Sequence, residues 1–104
     1  MTQKGYQTLT MIWRTVAITV EHDENWSKAY QDTYGSQLTH TNIIRDDGLP
    51  LPITETGYRS HFTDIKNLEN YDGILDYVKQ WLDYESQTKS WKAKEADMNQ
   101  LKLF

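Results

Sequence analysis

Thr8-Leu9-Thr10-Met11-Ile12-Trp13-Arg14-Thr15-Val16-Ala17-Ile18-Thr19-Val20 is rich in β-branched and aromatic residues, and its reading decides the fold class. Read as one long strand, it places Ile12, Arg14, Val16, Ile18 and Val20 on one face. Leu9, Met11, Trp13, Thr15 and Ala17 fall on the other. Both faces carry apolar groups, so the strand is expected at the centre of a sheet. Downstream, Glu21 to Asn25 supplies polar turn residues and a candidate N-cap. Trp26, Ala29, Tyr30 and Tyr34 then follow at helical spacing, and Gly35 is a natural stop. Gln37 to Arg45 reads as a second strand, with Leu38, His40, Asn42 and Ile44 on one side and Ile43 on the other; Asp46-Asp47-Gly48 marks a turn. Leu49 to Asp64 is neither helical nor cleanly alternating. Pro50 and Pro52 hold it extended, and it reads as a long loop.

From Leu68, with Asn67 as a plausible cap, a longer helix is expected. Its apolar stripe is Tyr71, Ile74, Leu75, Val78, Trp81 and Leu82, at three- and four-residue steps. Past Glu85 the stripe thins to Trp91 and Met98, which predicts a second helical piece leading into a tail. The fold class expected is therefore α+β: a small antiparallel sheet of two or three strands covered by helices. It is one domain, with residues 1–88 compact and 89–104 a helical arm and C-terminal binding tail.

At 104 residues the chain has room for a single modest core. Apolar residues make up only 38%, so the four Trp and seven Tyr must supply much of the buried area while keeping a polar handle. A net charge of -4 argues against general polyanion binding. With no Cys, disulfides, thiolate nucleophiles and Cys-ligated zinc are excluded. No segment has the length of a membrane span or the apolar core of a signal peptide, so a cytoplasmic protein is expected, with no membrane partner. His22, His40 and His61 show no metal-ligand spacing, and neither a metal nor a cofactor is expected.

Two internal segments carry side chains suited to chemistry. In Leu51-Pro52-Ile53-Thr54-Glu55-Thr56-Gly57-Tyr58-Arg59-Ser60-His61-Phe62, Gly57 permits a left-handed backbone and Arg59 offers a planar fork for carboxylate or phosphate. His61 would move a proton near neutral pH and Glu55 would orient either partner, so Glu55, Tyr58, Arg59 and His61 form a candidate anion or catalytic set. The competing reading is a packed loop whose hydroxyls satisfy its own backbone. The second segment, Lys89-Ser90-Trp91-Lys92-Ala93-Lys94, places Lys89, Lys92 and Lys94 around Trp91, a pattern able to track a phosphate backbone while the indole stacks on a base. A solvated helix face explains it equally well, since Glu95 and Asp97 follow, and any nucleic-acid contact is expected to be weak or indirect.

The Pro-x-Thr-x-Thr-Gly-Tyr-Arg-Ser-His-Phe core, followed by Trp81-Leu82-Asp83, resembles small uncharacterised proteins of bacterial plasmids and other mobile elements. The last five residues, Gln100-Leu101-Lys102-Leu103-Phe104, resemble the peptide by which bacterial replication and repair proteins grip the ring-shaped sliding clamp. That resemblance implies a bacterial sliding clamp as partner, with Gln100, Leu101, Leu103 and Phe104 carrying the contacts. The alternative is that these residues finish an amphipathic helix on their own domain. From a different class come two rivals: an enzyme acting on phosphoesters or nucleotides through the Glu55 to His61 loop, and a module that dimerises through exposed aromatics. The sequence leaves the oligomeric state undetermined.

Overall fold

The computed structural model describes residues 5–101, with the side chain of Leu101 excluded. Four antiparallel strands form one sheet in the order of the chain: β1 (Gln7–Trp13), β2 (Val16–Asp23), β3 (Leu38–Arg45) and β4 (Tyr58–Asp64). Helix α1 (Lys28–Tyr34) lies between β2 and β3. A short 3-10 turn (Ile65–Leu68) follows β4, and α2 (Ile74–Glu85) and α3 (Lys89–Leu101) complete the fold. The architecture is α+β, with four strands where two or three were expected.

The first extra strand comes from the opening stretch. Thr8 to Val20 is a hairpin, not one central strand: β1 ends at Trp13, and Arg14 and Thr15 turn the chain with φ of 48° and 69°. Two consecutive positive φ values in a two-residue loop match the twist of the flanking strands, which is why hairpins favour such turns. The turn reverses the parity of the alternation. Trp13 pairs with Val16, Met11 with Ile18 and Leu9 with Val20, so the apolar residues of both strands share one face. β1 is an edge strand and β2 is internal.

The second extra strand lies inside the segment read as a loop. Only Leu49 to Gly57 is loop; Tyr58–Asp64 pairs with β3 along its whole length. Its two faces are Tyr58, Ser60, Phe62, Asp64 and Arg59, His61, Thr63, so neither gives the apolar alternation that marks a half-buried strand. The main helix also begins later than the sequence suggests. Asp64 caps the 3-10 turn through the Lys66 amide, and α2 starts at Ile74 after Gly73, which contributes no side-chain cap. Ser27 rather than Glu21 to Asn25 caps α1, accepting from the Tyr30 amide, and Gly35 ends it in the left-handed region as expected.

The inner face of the sheet meets α2, α3 and the Leu49 to Gly57 loop. The core is built from Trp13, Ile18, Val20 and Ile43 of the sheet, Ile74, Val78 and Leu82 of α2, Leu51 and Ile53 of the loop, and Trp91 of α3. Each fully buried aliphatic side chain contributes about 1.5–3 kcal/mol. The hairpin tip fastens the helices at their polar seam. Trp13 Nε1 donates to Asp83 Oδ1 at 2.8 Å, while Arg14 donates to Ser86 Oγ at 2.9 Å and to Glu95 at 3.2 Å. On the outer face α1 is tied down by Asp64, which accepts from the Tyr30 hydroxyl at 2.8 Å and the Ser36 hydroxyl at 2.7 Å. Those donors, after the Lys66 amide, hold its carboxyl below the usual carboxylate range. Among the described residues no helix is long and apolar enough to cross a membrane.

Candidate functional site

The loop between β3 and β4 is held from below by Arg45. Its guanidinium, almost wholly buried, donates to both oxygens of Asp47 at 2.7 and 3.1 Å and to the Pro50 carbonyl at 2.8 Å. Leu51 and Ile53 sink into the core, and the Leu51 and Thr54 backbones bond reciprocally between them. Gly57 turns the chain into β4 with φ of +78° beside the Leu49 carbonyl. The Thr54 and Thr56 hydroxyls both donate to the Tyr58 carbonyl. Much of this polar segment therefore satisfies its own backbone.

Strand alternation then divides the four candidate anion or catalytic residues. Arg59 and His61 face the helices, whereas Tyr58 points to the outer face and donates to Asn42 Oδ1 at 2.8 Å. His61 Nε2 is hydrogen-bonded to the Tyr77 hydroxyl at 3.0 Å, and its ring lies 4.6 Å from that of Trp81. Burial first, then the Arg59 charge, pushes its pKa below the ordinary histidine value. Arg59 lies 5.5 Å over the Trp81 ring and donates to the Ile53 carbonyl at 3.3 Å. Glu55, on the loop tip, receives Lys94 of α3 at 3.3 Å.

The Glu55–Lys94 contact joins residues from the two internal candidate sets. Between the loop and the first turns of α3 lies a cavity of about 500 Å³, whose walls include Glu55, Arg59, Thr88, Ser90, Trp91 and Lys94. Lys89 and Lys92 are exposed on α3 outside this wall. Trp91 is 5% exposed and packs 6.2 Å from Trp13, so its indole is a core element with no ring face open to a base. Its Nε1 is the one buried side-chain polar atom among the described residues without a hydrogen-bond partner. The basic run signalled a solvent-facing strip; of it, Ser90, Trp91 and Lys94 reach the cavity.

A further polar cluster escaped the sequence reading. On the outer face His40 is hydrogen-bonded through Nε2 to Ser60 Oγ at 2.7 Å and through Nδ1 to the Tyr6 hydroxyl. The imidazole stacks on Phe62 at 4.2 Å, and Trp26 meets the edge of both rings. The residues come from four separate segments, and only the register of β3 against β4 brings His40, Ser60 and Phe62 together. Among the described residues no three His, Asp or Glu side chains gather as a metal site.

Of the tail residues, Gln100 is exposed in the last turn of α3 and Leu101 is the final residue of that helix. Leu103 and Phe104 lie outside the described residues.

No curated protein and no solved structure matches the chain. A family model described as the KlcB third domain matches residues 6–91, a span that covers the whole sheet, α1 and α2 and ends on Trp91. With most of its length inside that match, the chain belongs to the KlcB third-domain family.

Proposed function

We infer that this chain is an accessory protein of a plasmid or related mobile element, and that it works by docking on the bacterial sliding clamp through its C-terminal peptide. Membership of the KlcB third-domain family and the resemblance of the Thr56-Gly57-Tyr58-Arg59-Ser60-His61-Phe62 segment to plasmid-borne proteins support the first part. The observation that carries the second is the exposure of Gln100. α3 packs on the domain through Trp91, Glu95 and Met98, and Gln100 lies about 180° around the helix from Trp91 at about 3.6 residues per turn. The first residue of the motif is thus turned away from the domain that holds the helix.

A clamp-binding peptide lies extended, so the last turn of α3 must unwind to bind. That costs little, because helix ends fray and the final carbonyls have no partners within the helix. Leu and Phe anchors supply most of the energy, less the entropy of ordering the tail, which gives micromolar affinity, about -8 kcal/mol. The domain would then either act beside the ring or obstruct its cleft. Docking is favoured over catalysis by the placement of the loop side chains: His61 is bound to Tyr77, Glu55 to Lys94, and Tyr58 faces away from Arg59. Binding of the intact chain and of one lacking Gln100 to Phe104 to a purified bacterial clamp tests the reading. Deletion is expected to abolish binding with the thermal midpoint unchanged; equal affinity of the two proteins rejects it.

A further inference from the structure

We propose that the cavity between the Leu49 to Gly57 loop and the start of α3 is a binding site for a small phosphate-bearing molecule. Its polar wall is built from both sides. Arg59 comes from β4 and Lys94 from the second turn of α3, with the hydroxyls of Thr88 and Ser90 at the helix start. The Arg59 guanidinium spends one donor on the Ile53 carbonyl and stacks on Trp81, an arrangement that fixes its plane without neutralising it. Among the described residues Lys94 pairs with Glu55, whose side chain is 88% exposed. A pair so exposed contributes little and exchanges readily for a better anion.

The start of α3 adds donors. Thr88 Oγ1 accepts from the Trp91 amide and its carbonyl from the Lys92 amide, so the start of this 13-residue helix keeps the Lys89 and Ser90 amides for a ligand. The unpartnered indole N–H belongs to Trp91, a wall residue of the same cavity and 5% exposed. Two cations and the Ser90 hydroxyl lining about 500 Å³ suit a phosphate dianion with its three acceptor oxygens better than a carboxylate, while the Thr88 hydroxyl is spent on the Glu85 carbonyl and the Trp91 amide. The floor of Leu51 and Ile53 accommodates an apolar portion of the ligand. The site binds without turnover, and it is independent of the tail.

Titration of the intact, isotopically labelled chain with inorganic phosphate, against chloride at equal ionic strength, tests the assignment by amide and indole NMR shifts. Saturable shifts are expected at Thr88 to Trp91 and at the Trp91 indole N–H. Arg59→Gln and Lys94→Gln should each raise Kd about tenfold or more, as loss of a charge-assisted hydrogen bond predicts. Glu55→Gln should lower Kd about threefold by releasing Lys94. All three positions are surface-accessible, and unchanged dispersion of the remaining peaks verifies the fold. If either cation variant fails to fold, the tightening in Glu55→Gln decides alone. Shifts that grow linearly, that chloride reproduces, or that ignore all three substitutions overturn the assignment.

Discussion

At Gly57 a Cβ would stand 2.7 Å from the Leu49 carbonyl oxygen, and the backbone is in the left-handed region at φ +78°. Gly57→Ala is therefore expected to cost about 2–3 kcal/mol, combining the conformational penalty with displacement of a backbone that cannot yield cheaply. A lowered urea midpoint with unchanged slope measures it. The sequence exposes this residue's role, because a lone glycine in a polar stretch marks a special backbone conformation. The three histidines behave in a way that sequence does not show. Burial is the first cause lowering the pKa of His22, His40 and His61. A folded value below the unfolded one means that the unfolded chain binds more protons between the two. Stability is thus complete above about pH 6.5 and falls as the pH drops through the folded values. His22, 4% exposed and bonded to Thr41 Oγ1, is expected to dominate. Thermal midpoints should decline from pH 7 to pH 5, and His22→Gln should flatten that slope. A midpoint constant across the range contradicts the burial argument.

The β1–β2 hairpin shows how an element can hide in plain composition. Arg14 and Thr15 are ordinary strand residues, and no Asn-Gly or Asp-Gly pair announces the turn. The signal available was parity: Leu9, Met11 and Trp13 are apolar at odd positions, whereas Val16, Ile18 and Val20 are apolar at even ones. A strand apolar on both faces and a hairpin with one apolar face share that pattern until the two-residue turn is placed. β4 was obscure for another reason. Its helix-facing residues are Arg59, His61 and Thr63; His61 and Thr63 pair with the equally polar Thr41 and Thr39 of β3, and Arg59, opposite Ile43, is exposed, so no hydrophobic period is left. α2 was legible because Ile74, Val78 and Leu82 recur every four residues, although its start after Gly73 was not. Thr15, β-branched and at φ 69°, occupies a conformation that glycine adopts without strain. Thr15→Gly should stabilise the protein by about 1 kcal/mol, seen as a raised urea midpoint. A fall would mean that the turn is held by Thr15 itself rather than despite it.

For the molecule as a whole, the open question is whether α3 is an arm or part of the folding unit. The thinning stripe beyond Glu85 suggested a division at residue 88, since a helix with one Trp and one Met has little apolar surface to bury. The number of apolar residues is a poor guide here, because a single tryptophan carries more area than any one aliphatic side chain. Trp91 completes the core beside Trp13, and Arg14 from the far end of the sheet bonds Glu95 one turn later. Removing 89–104 therefore exposes Trp13 and deletes a buried aromatic, a change worth about 3–5 kcal/mol by analogy with Trp→Ala in cores. Small domains have about 5–15 kcal/mol in total, so the shortened chain should unfold at markedly lower urea, with a broadened transition. The exposed pair Arg14–Glu95 adds little to that figure. Removing only 100–104 leaves Trp91, Glu95 and Met98 in place and should leave the urea midpoint unchanged. Equal stability of the 1–88 chain and the full chain would establish α3 as an appendage. The contrasting result, loss of stability at 88 and none at 99, would separate the part of α3 that completes the core from the residues offered to a partner.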